Sequence, residues 1–320
     1  MDLINRGFTW RTLRDFIIAR FIRIGAWLSI AIMFLILVFI AKEAAPLFYD
    51  EIAVAEVGLS RLFLPQEYGT PEAPLSYSWH PVSLEPKYSL MPIFLGTLKV
   101  TLVAMLFSVP ISLAAAIYTA ELAPRWIRET IKPAVELLAG FPSVVLGFFA
   151  LIVLASWLQG IFDFDFRLNA VVAGLALSLA VIPIIYTVCE DSMSTVPRKL
   201  REASWALGAN RAETTLRVVL PAAMPGIFAA IVLGFGRAIG ETMIVLMASG
   251  NAGITSLRFS DSTRTLPATI AAEMAEVVFG GPHYRVLFFL GFLLFFITFV
   301  LNGTGSWVIS RLRNRLSGEA

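Results

Sequence analysis

Long runs without a charged residue dominate the pattern of hydrophobic and polar positions along the chain. A helix needs about 20 mostly apolar residues to cross the hydrocarbon of a bilayer. Six runs reach or approach that length, at 24–41, 100–120, 137–162, 168–189, 218–236 and onward, and 286–310. The pattern therefore predicts an all-α, polytopic membrane protein with six membrane-spanning helices.

The composition supports this class. Of 320 residues, 58% are hydrophobic and only 15% are charged, whereas soluble domains carry about 25% charged residues. Cys189 is the only cysteine, so an intramolecular disulfide is excluded. His80 and His283 lie in loop sequence outside any metal-binding spacing. We expect neither a metal site nor a nucleic-acid partner.

Lysine and arginine residues indicate the orientation, because they concentrate on the cytoplasmic side of membrane proteins. In a six-span arrangement sixteen of them fall on one side: Arg6, Arg11, Arg14, Arg20, Arg23, Arg125, Arg128, Lys132, Arg198, Lys199, Arg201, Arg211, Arg217, Arg311, Arg313 and Arg315. Seven fall on the other: Lys42, Arg61, Lys87, Arg167, Arg258, Arg264 and Arg285. We therefore expect both termini in the cytoplasm.

The two longer polar segments of the opposite side differ in character. Segment 42–89 is rich in proline and net acidic, and we interpret it as an outer loop. The sequence LPATIAAEMAEVV at 266–278 predicts a short amphipathic helix on the outer face. We expect one membrane domain over 1–320, with a tail and a peripheral first span (1–41), the outer loop, a five-span core (90–310) and a cytoplasmic tail (311–320).

The cytoplasmic segment 196–217 has the composition of helices rather than of a loop. We expect an amphipathic helix over 197–207, with Gly208 in the left-handed conformation at its end. A second short helix over 211–219 would precede a change of direction at Pro221. On physical grounds this elbow either lies on lipid headgroups or presents a helix to a protein outside the membrane.

One uncharged run contains an isolated pair of charges. Within GFGRAIGETMIVLMASG at 234–250, Arg237 and Glu241 lie four residues apart, so on a helix they share a face and can pair. An arginine near the bilayer centre costs at least about 2.5–3.5 kcal/mol. Two interpretations remain: a buried ion pair that orders helix packing, or a polar patch, with the adjoining Thr242, that lines an anion path. The planar guanidinium binds oxyanions in a bidentate manner, which suits the second.

The cytoplasmic segment also carries a motif. Glu202-Ala203-Ser204, Gly208 and Val218-x-Leu220-Pro221 resemble the EAA loop of ABC importer permeases, E-A-A-x3-G-x9-I-x-L-P. Ser204 and Val218 are mild departures from it. In that family the loop forms a coupling helix that docks in a groove on an ATP-binding cassette subunit. The resemblance therefore implies an ATPase-coupling role for Glu202, Ala203, Leu207, Gly208, Leu220 and Pro221.

The resemblance extends over residues 90–310. PIFLGTLKVTLVAMLFSVPISLAAAIYTAELAP at 92–124 and ELLAGFPSVVLGFFAL at 136–151 resemble the permease core. GRAIGETM at 236–243 with Ser-Gly-Asn at 249–251 is similar to the permeases of the high-affinity phosphate importer, and closest to its PstC-type subunit. This implies the type I ABC importer architecture, alternating access, and a phosphate pathway that includes Arg237 and Glu241.

The same resemblance implies a transport subunit rather than an enzyme. We expect a heterodimer with a homologous PstA-type permease, two ATP-binding cassette subunits inside, a phosphate-binding protein outside and surrounding lipid, all at the bacterial inner (cytoplasmic) membrane. The chain has no GxxxxGK[ST] motif, so ATP would be bound and hydrolysed by the partner and no cofactor is expected in this chain.

Three alternatives stay open. A permease of the same fold could carry another oxyanion, such as sulfate or molybdate. An ion-coupled secondary transporter would not need an EAA-type elbow and usually shows internal repeats. An intramembrane enzyme would require paired catalytic groups within the spans, where only Arg237 and Glu241 lie deep.

Overall fold

The computed structural model describes residues 10–66 and 75–317 of an almost entirely helical protein. The helices are α1 (Trp10–Ala44), α2 (Glu51–Glu56), α3 (Gly58–Phe63), α4 (Met91–Ile117), α5 (Arg125–Ala139), α6 (Ser143–Phe149), α7 (Ala155–Phe162), α8 (Ala170–Ser194), α9 (Arg198–Ala206), α10 (Arg211–Thr214), α11 (Leu220–Ile239), α12 (Met243–Ala248), α13 (Leu266–Glu273) and α14 (Pro282–Ser317). Two short antiparallel strands, β1 (Trp79–His80) and β2 (Lys87–Tyr88), pair between α3 and α4.

Six helical segments are long and apolar enough to cross a membrane, which confirms the predicted all-α fold with six spans. They run over Arg14–Phe48, Met91–Leu122, Ser143–Phe162, Ala170–Ser194, Arg211–Ile239 and Pro282–Leu312. Turns of π-helix extend several of them, at Tyr118–Leu122, Ala150–Leu154 and Thr215–Val219. The chain is therefore a multi-pass membrane protein.

The centre of the bundle is α8, which packs between α4 and α11. Small residues allow this close approach, because interfaces between membrane helices depend on van der Waals contact. A Cβ atom added to Gly174 would lie 2.5 Å from Cβ of Val103, and one added to Gly234 would lie 2.6 Å from Cδ1 of Ile185. By contrast, α1 packs chiefly on α14, and none of its apolar stretch is buried.

The interpretation of segment 42–89 as an outer loop is wrong for most of its length, although residues 67–74 lie outside the described part. Helices α2 and α3 and the β1–β2 hairpin fold over the ends of α4 and α14. The reason is a second hydrophobic core around Leu62, Trp79 and Tyr88, all of them buried. This core could not be recognised from hydropathy because its apolar residues are scattered among acidic ones.

A charged cluster closes that outer core. The carboxylate of Glu273 accepts hydrogen bonds from Nε1 of Trp79 (3.0 Å) and pairs with Nε2 of His283 (2.9 Å) and with Arg264. Burial alone would raise the pKa of Glu273, but the hydrogen bonds from His283 and Trp79 and the charge of Arg264 outweigh it and lower that pKa. The carboxylate therefore joins the hairpin, α13 and the start of α14.

Two further expectations need correction. The third span begins at Ser143 and not at 137, because residues 137–139 belong to α5, a residue before proline avoids the helical region, and a new helix starts after Pro142. The helix predicted over 266–278 ends at Glu273 and is buried at four consecutive positions, so it does not lie on the outer face. In the second span, Lys99 is buried and donates to the carbonyl of Arg258 at 3.0 Å.

Gly174→Ala should destabilise the bundle, because the new methyl group would meet Val103 and the carbonyl oxygen of Val100 at 3.0 Å. Overpacking of this kind costs about 1–3 kcal/mol. The matched control is Gly303→Ala in α14, where nothing lies within 4 Å of the added Cβ. Thermal unfolding in detergent should show a lower apparent Tm for Gly174→Ala and an unchanged apparent Tm for Gly303→Ala. Equal Tm values for Gly174→Ala and the wild type would contradict this packing.

Candidate functional site

The two charges of the fifth span form a contact at the end of α11. A guanidinium nitrogen of Arg237 lies 3.3 Å from a carboxylate oxygen of Glu241. The two side chains differ greatly in exposure: 49% for Arg237 and 5% for Glu241. The carboxylate is therefore held inside the protein, while the guanidinium reaches the surface of this single chain.

Contacts with α8 indicate how deep this pair lies. Gly226 of α11 packs against Ser192, and Gly234 packs against Val181, so the two helices run antiparallel. Arg237 is three residues, or about 4.5 Å, beyond Gly234 along the helix. It therefore lies level with the interior of α8 rather than with either of its ends.

The expected placement of both charges on one helix face is wrong. Helix α11 ends at Ile239, and Gly240 and Glu241 connect it to α12. Thr242 begins α12, where its carbonyl accepts the amide of Leu246 and its hydroxyl donates to the carbonyl of Gly240 at 3.5 Å. Glycine is a poor helix former, and glycines at 234, 236 and 240 favour a break here. The break turns the Glu241 side chain inward.

Three hydroxyl groups that the sequence analysis missed lie beside Glu241. Thr97 and Thr101 of α4 and Thr265 line one small cavity with it. The Oγ1 atom of Thr265 is buried and has no hydrogen-bond partner within the described residues. Leaving a buried hydroxyl unsatisfied costs about 1–3 kcal/mol. Hydroxyl groups therefore extend from Glu241 towards the start of α13, and that of Thr265 lacks a hydrogen-bond partner in the described part of the chain.

Between the fourth and fifth spans, the predicted helix and its glycine cap are confirmed. Helix α9 spans Arg198–Ala206, and Gly208 has φ +85° with nothing within 4 Å of an added Cβ. Glu202 and Ala203 are exposed, and Leu207 is 90% exposed.

The expected change of direction at Pro221 is wrong. From Arg211 the chain stays helical through α10, a π-helical turn and α11. Asn210 begins this run with a capping box, in which its side chain accepts the amide of Glu213 and the carboxylate of Glu213 accepts the amide of Asn210. Leu220 and Pro221 occupy the first turn of α11, directly after the π-helical turn Thr215–Val219. The first turn of a helix tolerates proline, and the wider π-helical turn before it leaves room for the proline ring. Helix α10 is therefore continuous with the helix that carries Arg237.

A clamp between α9 and the end of the second span was not anticipated. The guanidinium of Arg201 donates to both carboxylate oxygens of Glu121, at 2.6 and 3.2 Å, and to the carbonyl of Met193 at 2.9 Å. Such bidentate, charge-assisted contacts are the stronger kind of hydrogen bond. Helix α9 is thus fixed to the second and fourth spans by one side chain.

A second unanticipated cluster holds α5 against α8. Glu190 of α8, with 1% of its side chain exposed, pairs with Arg128 at 2.5 Å and with Lys132 at 2.8 Å. Hydrogen bonds to Glu190 and Asp191 raise the pKa of Lys132. Two cations compensate the buried carboxylate, so we assign this cluster to packing. Within the described residues, no group of side chains is suited to hold a metal ion.

This arrangement defines a class of protein: a helical membrane bundle with a short exposed helix between its fourth and fifth spans and an ion pair at the end of the fifth span. Residues 108–317, more than half of the chain, match the family described as binding-protein-dependent transport system inner membrane component. The chain belongs to this family.

Two relatives illustrate the match. The phosphate transport system permease protein PstC of Mesorhizobium japonicum is 36% identical over 259 residues, which cover 75% of this chain and 78% of the relative. The probable ABC transporter permease protein YqgH of Bacillus subtilis is 35% identical over 226 residues, 70% of this chain and 73% of the relative. Relatives of this class are named as permease proteins, so the chain is a transport component and not an enzyme.

Solved structures agree with the fold. A bacterial alginate ABC transporter in complex with an alginate pentasaccharide-bound periplasmic protein matches with a TM-score of 0.62 at 13% identity, covering 95% of this chain and 97% of the other. An inward-facing conformation of the MetNI methionine ABC transporter matches with a TM-score of 0.53 at 18% identity, covering 69% of this chain and 94% of the other. At such identities the likeness concerns the fold alone, which is that of ABC importer permeases.

Arg201→Gln should loosen α9, because glutamine cannot reach both oxygens of Glu121 and the carbonyl of Met193. Hydrogen bonds to a charged group contribute about 1.5–3 kcal/mol, so their loss should raise the population of locally unfolded α9 at least about tenfold. Because the protease cleaves that unfolded population, chymotrypsin cleavage after Trp205 should become faster by the same factor. The matched control is Lys199→Gln, an exposed cation of the same helix, which should be cleaved at the wild-type rate. Unchanged cleavage of Arg201→Gln would show that the clamp does not hold the helix.

Proposed function

We propose that this chain is a permease subunit of an ATP-driven importer that carries inorganic phosphate into the cytoplasm by alternating access. One observation carries the proposal: a guanidinium at the depth of the α8 interior is half exposed on the surface of the single chain. Relatives 32–36% identical that are named phosphate transport permeases support the choice of solute.

The exposed guanidinium cannot face lipid without a large cost, since arginine at the helix centre is disfavoured by at least about 2.5–3.5 kcal/mol. Glu241 does not remove this cost, because it approaches from the protein side and leaves half of the Arg237 side chain open. The face of α11 that carries Arg237 therefore meets a second subunit or water. We infer that a homologous PstA-type permease covers it, and that a path for the solute lies between the two subunits.

Arg237, Glu241 and Thr242 form the part of that path contributed by this chain. The fork of donors on Arg237 fits two oxygens of a phosphate group. Glu241 holds the guanidinium in place and offers an acceptor to a proton on the phosphate. A fully ionised oxyanion such as sulfate cannot donate that proton, so the pair would also favour phosphate over sulfate.

The coupling elbow provides the connection to ATP. Exposed Ala203 and Leu207 present α9 to an ATP-binding cassette subunit, with Glu202 beside them and Gly208 as the rigid turn. The unbroken helical run from Arg211 through Leu220 and Pro221 would transmit its movement to Arg237. Two such ATPase subunits would bind and hydrolyse ATP, and this chain would hold no cofactor.

On the opposite side, we propose that an extracytoplasmic phosphate-binding protein delivers the solute, as the alginate transporter holds a periplasmic protein in its own complex. The excess of lysine and arginine on the side of α9 supports a cytoplasmic location for that side and for both termini. The family description supports the inner membrane of a bacterium as the location.

The double variant Arg237→Gln with Glu241→Gln tests this function. It removes both charges, so no unpaired buried carboxylate remains and assembly should be preserved. Because the bidentate contact to phosphate is lost, uptake of radiolabelled phosphate by membrane vesicles should fall at least about tenfold per assembled complex. Arg237→Lys should recover little, since a single ammonium does not reproduce the guanidinium fork.

The matched control is the double variant Arg285→Gln with Asp50→Asn, which removes an ion pair on the outer side of the protein. It should transport phosphate like the wild type. If the Arg237–Glu241 pair only orders packing, its double variant will assemble and also transport normally, and that outcome would refute the proposed path.

A further inference from the structure

A cavity of about 460 Å³ opens on the cytoplasmic side, between the coupling elbow and the inner ends of the spans. The charged groups that line it are Arg128, Arg198, Arg201, Arg211, Glu121 and Glu202. Four arginines against two glutamates give this lining a net charge of +2. Its volume is large enough for a phosphate group together with water. The cavity is separate from Arg237, which lies deeper in the bundle.

Apart from Glu202, which borders both surfaces, this cavity lies on a different face of α9 from the residues proposed to meet the ATPase. The α9 residues lining it are Arg198, Arg201, Glu202 and Trp205, which form one stripe at helical spacing of three and four residues. Ala203 and Leu207 form a different stripe, rotated by more than a quarter turn. A protein docked on Ala203 and Leu207 therefore leaves room for a separate occupant in the cavity.

The arginines of the cavity divide into two kinds. Arg128 and Arg201 are held by Glu190 and Glu121. The guanidinium groups of Arg198 and Arg211 make neither a hydrogen bond nor an ion pair with any described residue, although they line the same space. Each of these two guanidinium groups is permanently charged and has N–H donors without an acceptor in the described ranges 10–66 and 75–317. One lies at the start of α9 and the other at the start of α10.

We propose that this cavity binds a phosphate group from the cytoplasmic side, held between Arg198 and Arg211. A doubly charged phosphate matches the net charge of the lining, and the two forks can each donate to a pair of its oxygens. Because the two arginines begin the two helices of the coupling elbow, the bound group fixes α9 relative to α10. The phosphate group belongs either to free inorganic phosphate or to an anionic lipid headgroup at the membrane surface.

Equilibrium binding of radiolabelled inorganic phosphate to the purified, assembled transporter in maltoside detergent tests the site. All proteins carry Arg237→Gln, so a site on the proposed solute path does not contribute. Adding Arg198→Gln with Arg211→Gln should weaken phosphate binding at least about tenfold, because two charge-assisted contacts are lost. The matched control is Arg125→Gln with Arg217→Gln, which removes the same charge from cytoplasmic residues that do not line the cavity.

Nanodiscs distinguish the two sources of the phosphate group. If a lipid headgroup occupies the cavity, phosphatidylglycerol in the nanodisc should weaken the binding of free phosphate to the protein with Arg198 and Arg211 intact. It should have no such effect on the protein that carries Arg198→Gln with Arg211→Gln. Equal affinity with and without phosphatidylglycerol would identify free phosphate as the occupant. The proposal is overturned if the control pair loses as much binding as Arg198→Gln with Arg211→Gln. It is also overturned if phosphate binds only after removal of the ATPase subunits, because those subunits then fill the cavity.

Discussion

A full positive charge inside the apolar bundle is the constraint on which the rest of this structure depends. Arg237 lies level with the interior of α8, and Glu241 reaches it from the buried side through a break between α11 and α12. Two apolar residues would insert at lower cost, and replacing both members of a buried ion pair is often nearly neutral. Half of the arginine side chain stays open, so a packing role alone does not account for it. The arrangement is that of a charge prepared for a partner outside this chain.

The remainder of the bundle connects this charge to the cytoplasmic surface. Helix α11 packs on α8 through glycines, which keeps the two backbones close. Its helical run begins at Arg211 within the coupling elbow and ends two residues after Arg237. Arg201 and Glu121 hold the other half of the elbow against the bundle. Helix α9 is thus tied to the bundle by an ion pair, and α10 is continuous with the helix that carries Arg237.

Features that depend on local sequence could be predicted. The six spans follow from hydropathy, and α9 with its left-handed Gly208 follows from composition and turn chemistry. Features that depend on contacts between residues far apart in the sequence could not be predicted. Glu121 and Arg201 are 80 residues apart, and Arg128 and Glu190 are 62 apart. Trp79 and Glu273, 194 residues apart, close an outer core that resembles a polar loop in sequence. The break at Ile239 was missed because hydropathy does not distinguish one helix from two.

Access of water to position 237 tests the central claim most directly. A cysteine is placed there by Arg237→Cys in a Cys189→Ala background, and the assembled transporter is treated with a membrane-impermeant thiol reagent. The control is Leu106→Cys, on an exposed apolar face of α4. A water-filled path predicts reaction of the cysteine at position 237 and no reaction of the cysteine at position 106. If the cysteine at 237 is as unreactive as the one at 106, Arg237 faces no aqueous path and the account is contradicted.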